Sequence, residues 1–354
     1  MRWLHEYAAE ARRTDKFNER GAGDYAALLA AGLIGEAGSV LAEFKKEKRE
    51  RDAYPAYRKK MLEEFGDFLW YFVRLVDLVA PDLLDALPPQ PTIFAGDAPF
   101  LTLGAAVGEV LGAIDAGDAT ASASHLQRIW NIATHVASAA DVDLQAAARE
   151  NVKKIRSRWP ESRDYYPLFD EGCDEEEQLP RRLTIDFREH RGSHRSVVFL
   201  RCNGINFGDR LTDNIEGHDD GYRFHDVFHF AYAVHLGWSP VVRALLKAKR
   251  KSQESKDEGQ DGARATIVEE AVSAIVFSRA KHMNLFEVDS VDYDLLKTIE
   301  EFVRDFEVSK VPLWQWEVAI LEGFATFRKL KLNRGGSVLL NLERRRLEYR
   351  APTW

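Results

Sequence analysis

The stretch MLEEFGDFLWYFVRL, residues 61–75, sets acidic side chains within an otherwise apolar, aromatic-rich segment. Its apolar residues recur at helical spacing, which predicts an amphipathic α-helix. Glu64 and Asp67 are three positions apart and therefore share one face of that helix. Two carboxylates on one helix face indicate either a solvated surface or part of a metal site.

A further carboxylate lies upstream in GLIGEAGSVLAEFKK, residues 32–46, which is also helical in its spacing and carries Glu36 among small and apolar residues. If the two helices pack antiparallel across the short connection at 50–57, Glu36 converges with Glu64 and Asp67. Three carboxylates on rigid helices suit Mg²⁺, which prefers carboxylate oxygens together with waters and substrate phosphates. The alternative, ordinary surface charge, applies to each carboxylate taken singly.

The composition is that of a globular protein. The chain has 354 residues, of which 45% are hydrophobic and 30% charged, enough for two or three domains. Its net charge of −8 makes nucleic acid an unlikely partner, because phosphate backbones need a basic surface. The distant Cys173 and Cys202 match no metal spacing and no disulfide framework, so we expect a reducing, cytoplasmic location. We find no apolar signal core and expect no membrane-spanning segment.

Two domains are predicted, joined by a linker. Residues 1–163 predict an all-α helical bundle, and residues 164–180, with their prolines and acidic run, predict the linker. Residues 181–354 predict a C-terminal α+β domain, in which β-rich segments at the start and a hairpin at the end can join in one small antiparallel sheet. Helical patterns occupy nine segments: 25–48, 57–79, 101–116, 122–140, 143–158, 220–250, 263–281, 291–306 and 312–330.

The motifs GLIGEAGSV, FKK and EEFGDFLWYFVRL resemble those of the MazG-like, all-α nucleoside triphosphate pyrophosphohydrolases, over roughly residues 1–160. The signature of that family is E-x-x-E, a spacer, and E-x-x-D. The resemblance implies Glu36, Glu64 and Asp67 as ligands of a catalytic Mg²⁺, with Mn²⁺ as a substitute. It implies a reaction that converts an NTP or dNTP and water to NMP and pyrophosphate.

This chain departs from the signature at Ser39, which stands where the family has its second glutamate. A hydroxyl is a weaker, neutral ligand, for which Glu43 one turn further can compensate. Either Glu43 or Glu63 can serve as the general base, and the sequence does not choose between them.

The resemblance also assigns residues to the nucleotide. Lys45 and Lys46 match the basic pair of the family and would meet phosphates, although the helix dipole also favours cations at a helix end. The stretch ENVKKIRSRWP, residues 150–160, resembles the family's N-x-x-K-x-x-x-R segment. Three of its polar residues fall near one helix face, where they would hold a base or sugar and phosphates: Asn151, Lys154 and Arg158.

Residues 103–115 and 125–137 echo the two acidic helices. Glu109 takes the place of Glu36, whereas the E-x-x-D positions have lost their carboxylates. We hypothesise an internal MazG-like pseudo-dimer in which one half carries the metal. Two ordinary amphipathic helices explain the same echo, and a homodimer also stays open.

The stretch DGYRFHDVFHFAYAVHLGWSP, residues 220–240, contains a second group of candidate ligands. His225 and His229 are one helical turn apart. Nearby acidic residues could complete a transition-metal site: Asp226, Glu269 and Glu270. A buried His–Glu hydrogen-bond network that braces two core helices explains the same residues, and the sequence favours this reading. This half also resembles the C-terminal extension attached to MazG-like domains in some bacterial proteins.

The sequence thus predicts a cytoplasmic, Mg²⁺-dependent nucleotide pyrophosphohydrolase that acts on a nucleoside triphosphate. One alternative is a nucleotide-binding sensor with weakened hydrolysis, whose C-terminal domain is the effector. Another is a separate metal hydrolase at His225, His229 and Glu269. Preference for base and sugar does not follow from these patterns.

Overall fold

A computed structural model describes residues 1–15, 22–91, 100–192, 195–213 and 219–354 of the chain. Its internal contacts divide the chain into two units, Met1–Glu161 and Ser162–Trp354. The first unit is helical, and the second contains helices and a small sheet, so the predicted fold class is confirmed.

The helices of the first unit follow the predicted periodicity, with a further helix at the N-terminus and a single turn after the third long helix. Their bounds are α1 Arg2–Arg13, α2 Ala22–Glu50, α3 Tyr57–Val79, α4 Leu83–Ala86, α5 Phe100–Asp115, α6 Ala119–Ala139 and α7 Leu144–Arg158. Asp118 and Asp143 begin α6 and α7, because their carboxylates accept hydrogen bonds from backbone N–H groups of the first turn.

Helix α3 lies at the centre of this unit and packs against α1, α2, α6 and α7. Its apolar face is fully buried, and Phe65, Phe68 and Phe72 have no exposed surface. The ring of Phe72 stacks on that of Trp130 from α6, with 5.4 Å between the ring centroids. The acidic residues of α3 lie beside this buried face, which places them at the contact with α2 and α7.

The stretch Tyr25–Ala53 is long and apolar enough, by length and composition alone, to cross a membrane. This corrects the expectation that the sequence has no such segment. The indication is weak, because the core helix of a globular unit passes the same test. Leu29, Leu33 and Val40 on this helix are fully buried in the core of the first unit.

The second unit is built on a five-stranded antiparallel sheet with the strand order β3-β2-β1-β4-β5. The strands are β1 Arg182–Arg191, β2 Ser196–Cys202, β3 Ile205–Leu211, β4 Gly335–Asn341 and β5 Arg346–Arg350. The C-terminal hairpin joins the first strands in one sheet, as predicted. The helices are α8 Asp226–Leu236, α9 Pro240–Leu246, α10 Glu254–Gly259, α11 Ala263–Ala280, α12 Tyr293–Phe302 and α13 Leu313–Asn333.

The segment 220–250 forms two helices where the sequence predicted one continuous pattern. Gly237 has φ +68°, a left-handed conformation that ends α8. Ser239 then caps α9 by accepting a hydrogen bond from the Val242 N–H at 3.0 Å, and Pro240 occupies the first turn. This break brings the start of α9 next to α11.

Residues 164–180, predicted as a linker, belong to the second unit. The Asp170 carboxylate is buried and accepts a hydrogen bond from the Arg243 guanidinium at 2.8 Å, and it pairs with Arg181 at 2.9 Å. Leu179 is buried in the core of the same unit. The acidic, proline-containing composition of this segment gave no indication of these contacts, because Asp170 is paired with residues from other parts of the chain.

Candidate functional site

Carboxylates from α2 and α3 converge in the first unit. Glu36, Glu64 and Asp67 each offer an oxygen within 4.8 Å of the others, and all three side chains are half-buried. The two helices run antiparallel, since Gly32 lies against Tyr71 near one end and Glu43 contacts Tyr54 near the other. The sequence predicted this convergence, and the short connection between α2 and α3 produces it.

A small residue lets α2 and α3 approach each other beside this cluster. A Cβ atom added to Gly32 would overlap the ring of Tyr71, so only glycine leaves room for that ring. The pKa of Tyr71 is raised, first by burial and then by the charges of Glu36 and Asp67. Tyr71 therefore borders the carboxylates with a neutral hydroxyl, a role that the apolar reading of its helix did not reveal.

Helix α7 holds Asp67 from the other side. Asn151 Nδ2 donates to Asp67 Oδ1 at 2.7 Å, and the Tyr7 hydroxyl donates to Asn151 Oδ1 at 2.8 Å. Burial and then the charge of Asp67 raise the pKa of Tyr7, which keeps its hydroxyl protonated as a donor. Because Asn151 is only 4% exposed and both ends of its amide are engaged, it orients Asp67. Its expected role as a nucleotide-binding residue stays a prediction.

Lys154 also lies on Asp67. Its Nζ donates to Asp67 Oδ1 at 2.6 Å and stands 3.8 Å from Glu63 Oε1, while Lys60 lies 3.6 Å from Glu63 Oε2. Lys154 is half-buried, so its ammonium group borders the carboxylates and also reaches solvent. Lys154 is therefore a predicted cation that contacts the carboxylate cluster.

The remaining predicted cations are Arg158, Lys45 and Lys46. The guanidinium of Arg158 lies over the ring of Trp159, with 4.6 Å from its carbon to the ring centroid. Lys45 is exposed, and Lys46 pairs with Glu43.

Glu43 belongs to a separate cluster. It is 5% exposed and accepts hydrogen bonds from the Tyr54 hydroxyl and the Lys46 ammonium. Seven residues of helix put it about 10 Å along the axis from Glu36. The Glu43 carboxylate is thus already engaged by two donors, and its expected roles, as a substitute for the missing second glutamate or as the general base, stay predictions.

Gly66 sets the spacing between α3 and α7. A Cβ at Gly66 would lie 2.9 Å from both the Ala147 carbonyl oxygen and Asn151 Cβ, so a larger residue would push α7 away. Such a displacement would weaken the hydrogen bond from Asn151 to Asp67. The sequence signal for this contact is a glycine inside an apolar helix, where an alanine would otherwise be more stable.

We expect Gly66→Ala to lower the free energy of unfolding by about 1–3 kcal/mol, because overpacking outweighs the gain in helix propensity. Gly108→Ala in α5 is the matched control, since its new Cβ would meet nothing within 4 Å. That change should stabilise the protein by about 1 kcal/mol. Thermal unfolding of both variants measures the difference, and a stabilised Gly66→Ala variant would contradict the close approach.

The hypothesised second copy carries no comparable acidic cluster among the described residues. Glu109 is exposed, forms an ion pair with Arg128 and lies 3.5 Å from His125. In this half, basic side chains of α6 neutralise the glutamate of α5. The internal pseudo-dimer stays a prediction.

In the second unit, Glu269 is a buried hydrogen-bond acceptor. Its carboxylate accepts from the Ser239 hydroxyl at 2.6 Å and the Val241 N–H at 2.9 Å, and it lies 2.9 Å from His229 Nδ1. It thereby connects α11 to α8 and to the start of α9. Glu269 is not part of the group of three described residues that could hold a metal, and its predicted place as a ligand stays a prediction.

The cluster that the structure brings together contains Glu270 instead: His225, His229 and Glu270 each offer a ligand atom within 4.8 Å of the others. Asp226 lies beside it, 3.2 Å from His225 Nε2. Burial lowers the pKa of His225. Burial by itself would lower the pKa of His229, but the charges of Glu269 and Glu270 and their hydrogen bonds to the ring raise this pKa to about 10.

Comparison with known proteins gives one family. A family model described as the MazG C-terminal domain matches residues 164–353, more than half of the chain. No curated protein and no solved structure matches the chain.

Proposed function

The chain belongs to the MazG C-terminal domain family, and we propose that its N-terminal unit is a Mg²⁺-dependent nucleoside triphosphate pyrophosphohydrolase. The substrate would be an NTP or dNTP, and the products a nucleoside monophosphate and pyrophosphate. The observation that carries the proposal is the convergence of Glu36, Glu64 and Asp67 from two antiparallel helices. The family match lies in the other unit, and it supports the proposal only by association.

The donor set suits the metal. Three carboxylate oxygens within 4.8 Å of one another form a hard, anionic site of the kind that Mg²⁺ prefers. Mg²⁺ held by Glu36, Glu64 and Asp67 would neutralise triphosphate oxygens and acidify a water molecule. Three protein ligands leave coordination positions for water and phosphate.

The chain's own residues would then divide the remaining work. Tyr7 and Asn151 fix the orientation of the Asp67 carboxylate through hydrogen bonds of 2.8 and 2.7 Å. Lys154 offers its ammonium to a phosphate oxygen at the edge of the cluster. Of the two candidate bases, Glu63 is favoured, because it lies near Lys154 and on the same helix as Glu64, whereas Glu43 is held by Tyr54 and Lys46.

The test uses the purified full chain with a panel of NTPs and dNTPs in Mg²⁺. We expect equal amounts of nucleoside monophosphate and pyrophosphate, and loss of both products when a chelator removes the metal. Release of inorganic phosphate with a nucleoside diphosphate would contradict the proposed bond cleavage.

A nucleotide sensor is the second candidate, and two observations favour it. Ser39 replaces an acidic ligand, and Lys154 already pairs with Asp67, so the ion must compete with an ammonium group. Binding of a triphosphate by calorimetry without product formation across the panel would support the sensor.

Replacing Lys154 with methionine should separate metal binding from substrate binding. We expect the KM for triphosphate to rise about tenfold, because a charged contact to phosphate is lost. The affinity for Mg²⁺ should rise by about fivefold, since Asp67 no longer pairs with an ammonium group. Lys153→Met is the matched control, because Lys153 is exposed and pairs with Glu150. A parallel loss of metal and substrate affinity would argue against this arrangement.

A further inference from the structure

The two histidines of the C-terminal unit point to a second metal site. We propose that His225 Nε2, His229 Nε2 and the Glu270 carboxylate bind a divalent transition-metal ion. The ligands come from the start and first turn of α8 and from α11, all within one unit. This site is independent of the proposed hydrolytic function, because none of its residues belongs to the first unit.

In both histidines, the ring nitrogen that faces away from the proposed ion has the kind of hydrogen-bond partner found in metal-bound histidines. His225 Nδ1 lies 2.9 Å from the Tyr222 carbonyl oxygen, and His229 Nδ1 lies 2.9 Å from Glu269 Oε1. Ligating histidines usually donate their second N–H to a backbone carbonyl or a carboxylate, which fixes the tautomer and turns the other nitrogen toward the ion. Tyr222 also stacks on the His225 ring at 4.3 Å, so the ring is held in place.

His229 supplies an independent indication of a ligand. Its side chain has no exposed surface, and its Nε2 has no hydrogen-bond partner among the described residues. The nearest acidic group is Glu270, at 3.5 Å from that nitrogen. A buried polar atom without a hydrogen bond is costly, and coordination of an ion at Nε2 would satisfy it.

Two imidazoles and one carboxylate select the class of metal. This donor set suits zinc, iron, cobalt, nickel or manganese better than Mg²⁺, which prefers oxygen ligands. Ligands about 2.1 Å from an ion lie roughly 3–3.5 Å apart, and His229 Nε2 and Glu270 Oε1 are already 3.5 Å apart. The Glu270 side chain is 44% exposed and can rotate inward, and Asp226 is placed to become a further ligand or to receive a hydrogen bond from a bound water.

The experiment uses the full chain, freed of metal by a chelator and titrated with Co²⁺, whose visible absorption reports nitrogen ligation. We expect about one equivalent of Co²⁺ with imidazole-type absorption, displaced by Zn²⁺. His225→Gln and Glu270→Gln should each weaken this binding by about tenfold or more. Asp67→Asn should retain the absorption, because it alters only the carboxylate site of the first unit.

Two further measurements separate a metal site from a histidine that is held only by its neighbouring glutamates. Glu270 is partly exposed, so Glu270→Gln should fold with the wild-type unfolding temperature, and only its Zn²⁺-induced rise in that temperature should disappear. Pyrophosphate release by His225→Gln should equal that of the wild type, whatever its metal content. If wild-type protein gives no imidazole-type Co²⁺ absorption, or if both variants bind Co²⁺ like the wild type, the site is refuted. An imidazolium of His229 held between Glu269 and Glu270 would then account for the geometry.

Discussion

Replacing Asp67 with asparagine should lower the rate of triphosphate cleavage by about 100-fold or more, since loss of even an outer-shell partner of a metal commonly costs 10–100-fold. An oxygen of Asp67 lies within 4.8 Å of oxygens of Glu36 and Glu64, and the carboxylate receives hydrogen bonds from Asn151 and Lys154. Asparagine preserves the shape of the side chain and removes its charge. The loss should therefore reflect weakened metal binding, and the apparent affinity for Mg²⁺ should fall with the rate.

The measurement is pyrophosphate release over a range of Mg²⁺ concentrations, together with circular dichroism and thermal unfolding to show that the variant folds. Glu150→Gln serves as the matched control, because Glu150 is an exposed carboxylate on the neighbouring helix α7 that pairs with Lys153. It should retain the wild-type rate. An unchanged rate in Asp67→Asn would refute the carboxylate site and return Lys154 to a structural role.

Replacing Arg250 with alanine should lower the free energy of unfolding by about 3–5 kcal/mol, the usual cost of breaking a buried ion pair. Arg250 has no exposed surface, although it lies in the strongly charged stretch KRKSQESKDEGQDG, residues 249–262. Its guanidinium donates to Asp261 at 2.7 and 3.0 Å and to Glu307 at 2.6 Å. Removal of this cation leaves two buried carboxylates with too little positive charge, since Lys256 pairs with Glu307 and Arg243 lies 3.7 Å from Asp261.

Chemical unfolding of the full chain measures this loss, and hydrogen exchange assigns the transition to the C-terminal unit. Lys251→Ala is the matched control, because the neighbouring lysine is exposed and should change stability by less than about 0.5 kcal/mol. Arg250→Met, with Asp261→Asn and Glu307→Gln added, should recover most of the loss, since excess buried negative charge causes it. A loss below about 1 kcal/mol in Arg250→Ala would contradict the buried network.

The fold class and the principal acidic cluster could both be predicted from local spacing. The 3.6-residue repeat of apolar residues marked the long helices, and period-two patterns marked the strands that form the sheet. Glu64 and Asp67 share a helix face at any packing, since three residues amount to nearly one turn. The short connection then allowed only an antiparallel partner for α3, so Glu36 could be added to the cluster.

Beyond this, the sequence alone determined which residue types lie on which helix faces. The tertiary structure decided which of the polar side chains have hydrogen-bond or ion-pair partners. Asn151 orients Asp67 because Tyr7, 144 positions away, holds its amide. Between the adjacent Glu269 and Glu270, packing of α8, α9 and α11 buries the first as a structural acceptor and turns the second toward the histidines. Burial of a polar side chain depends on partners brought together only by folding, and helical periodicity carries no information about them.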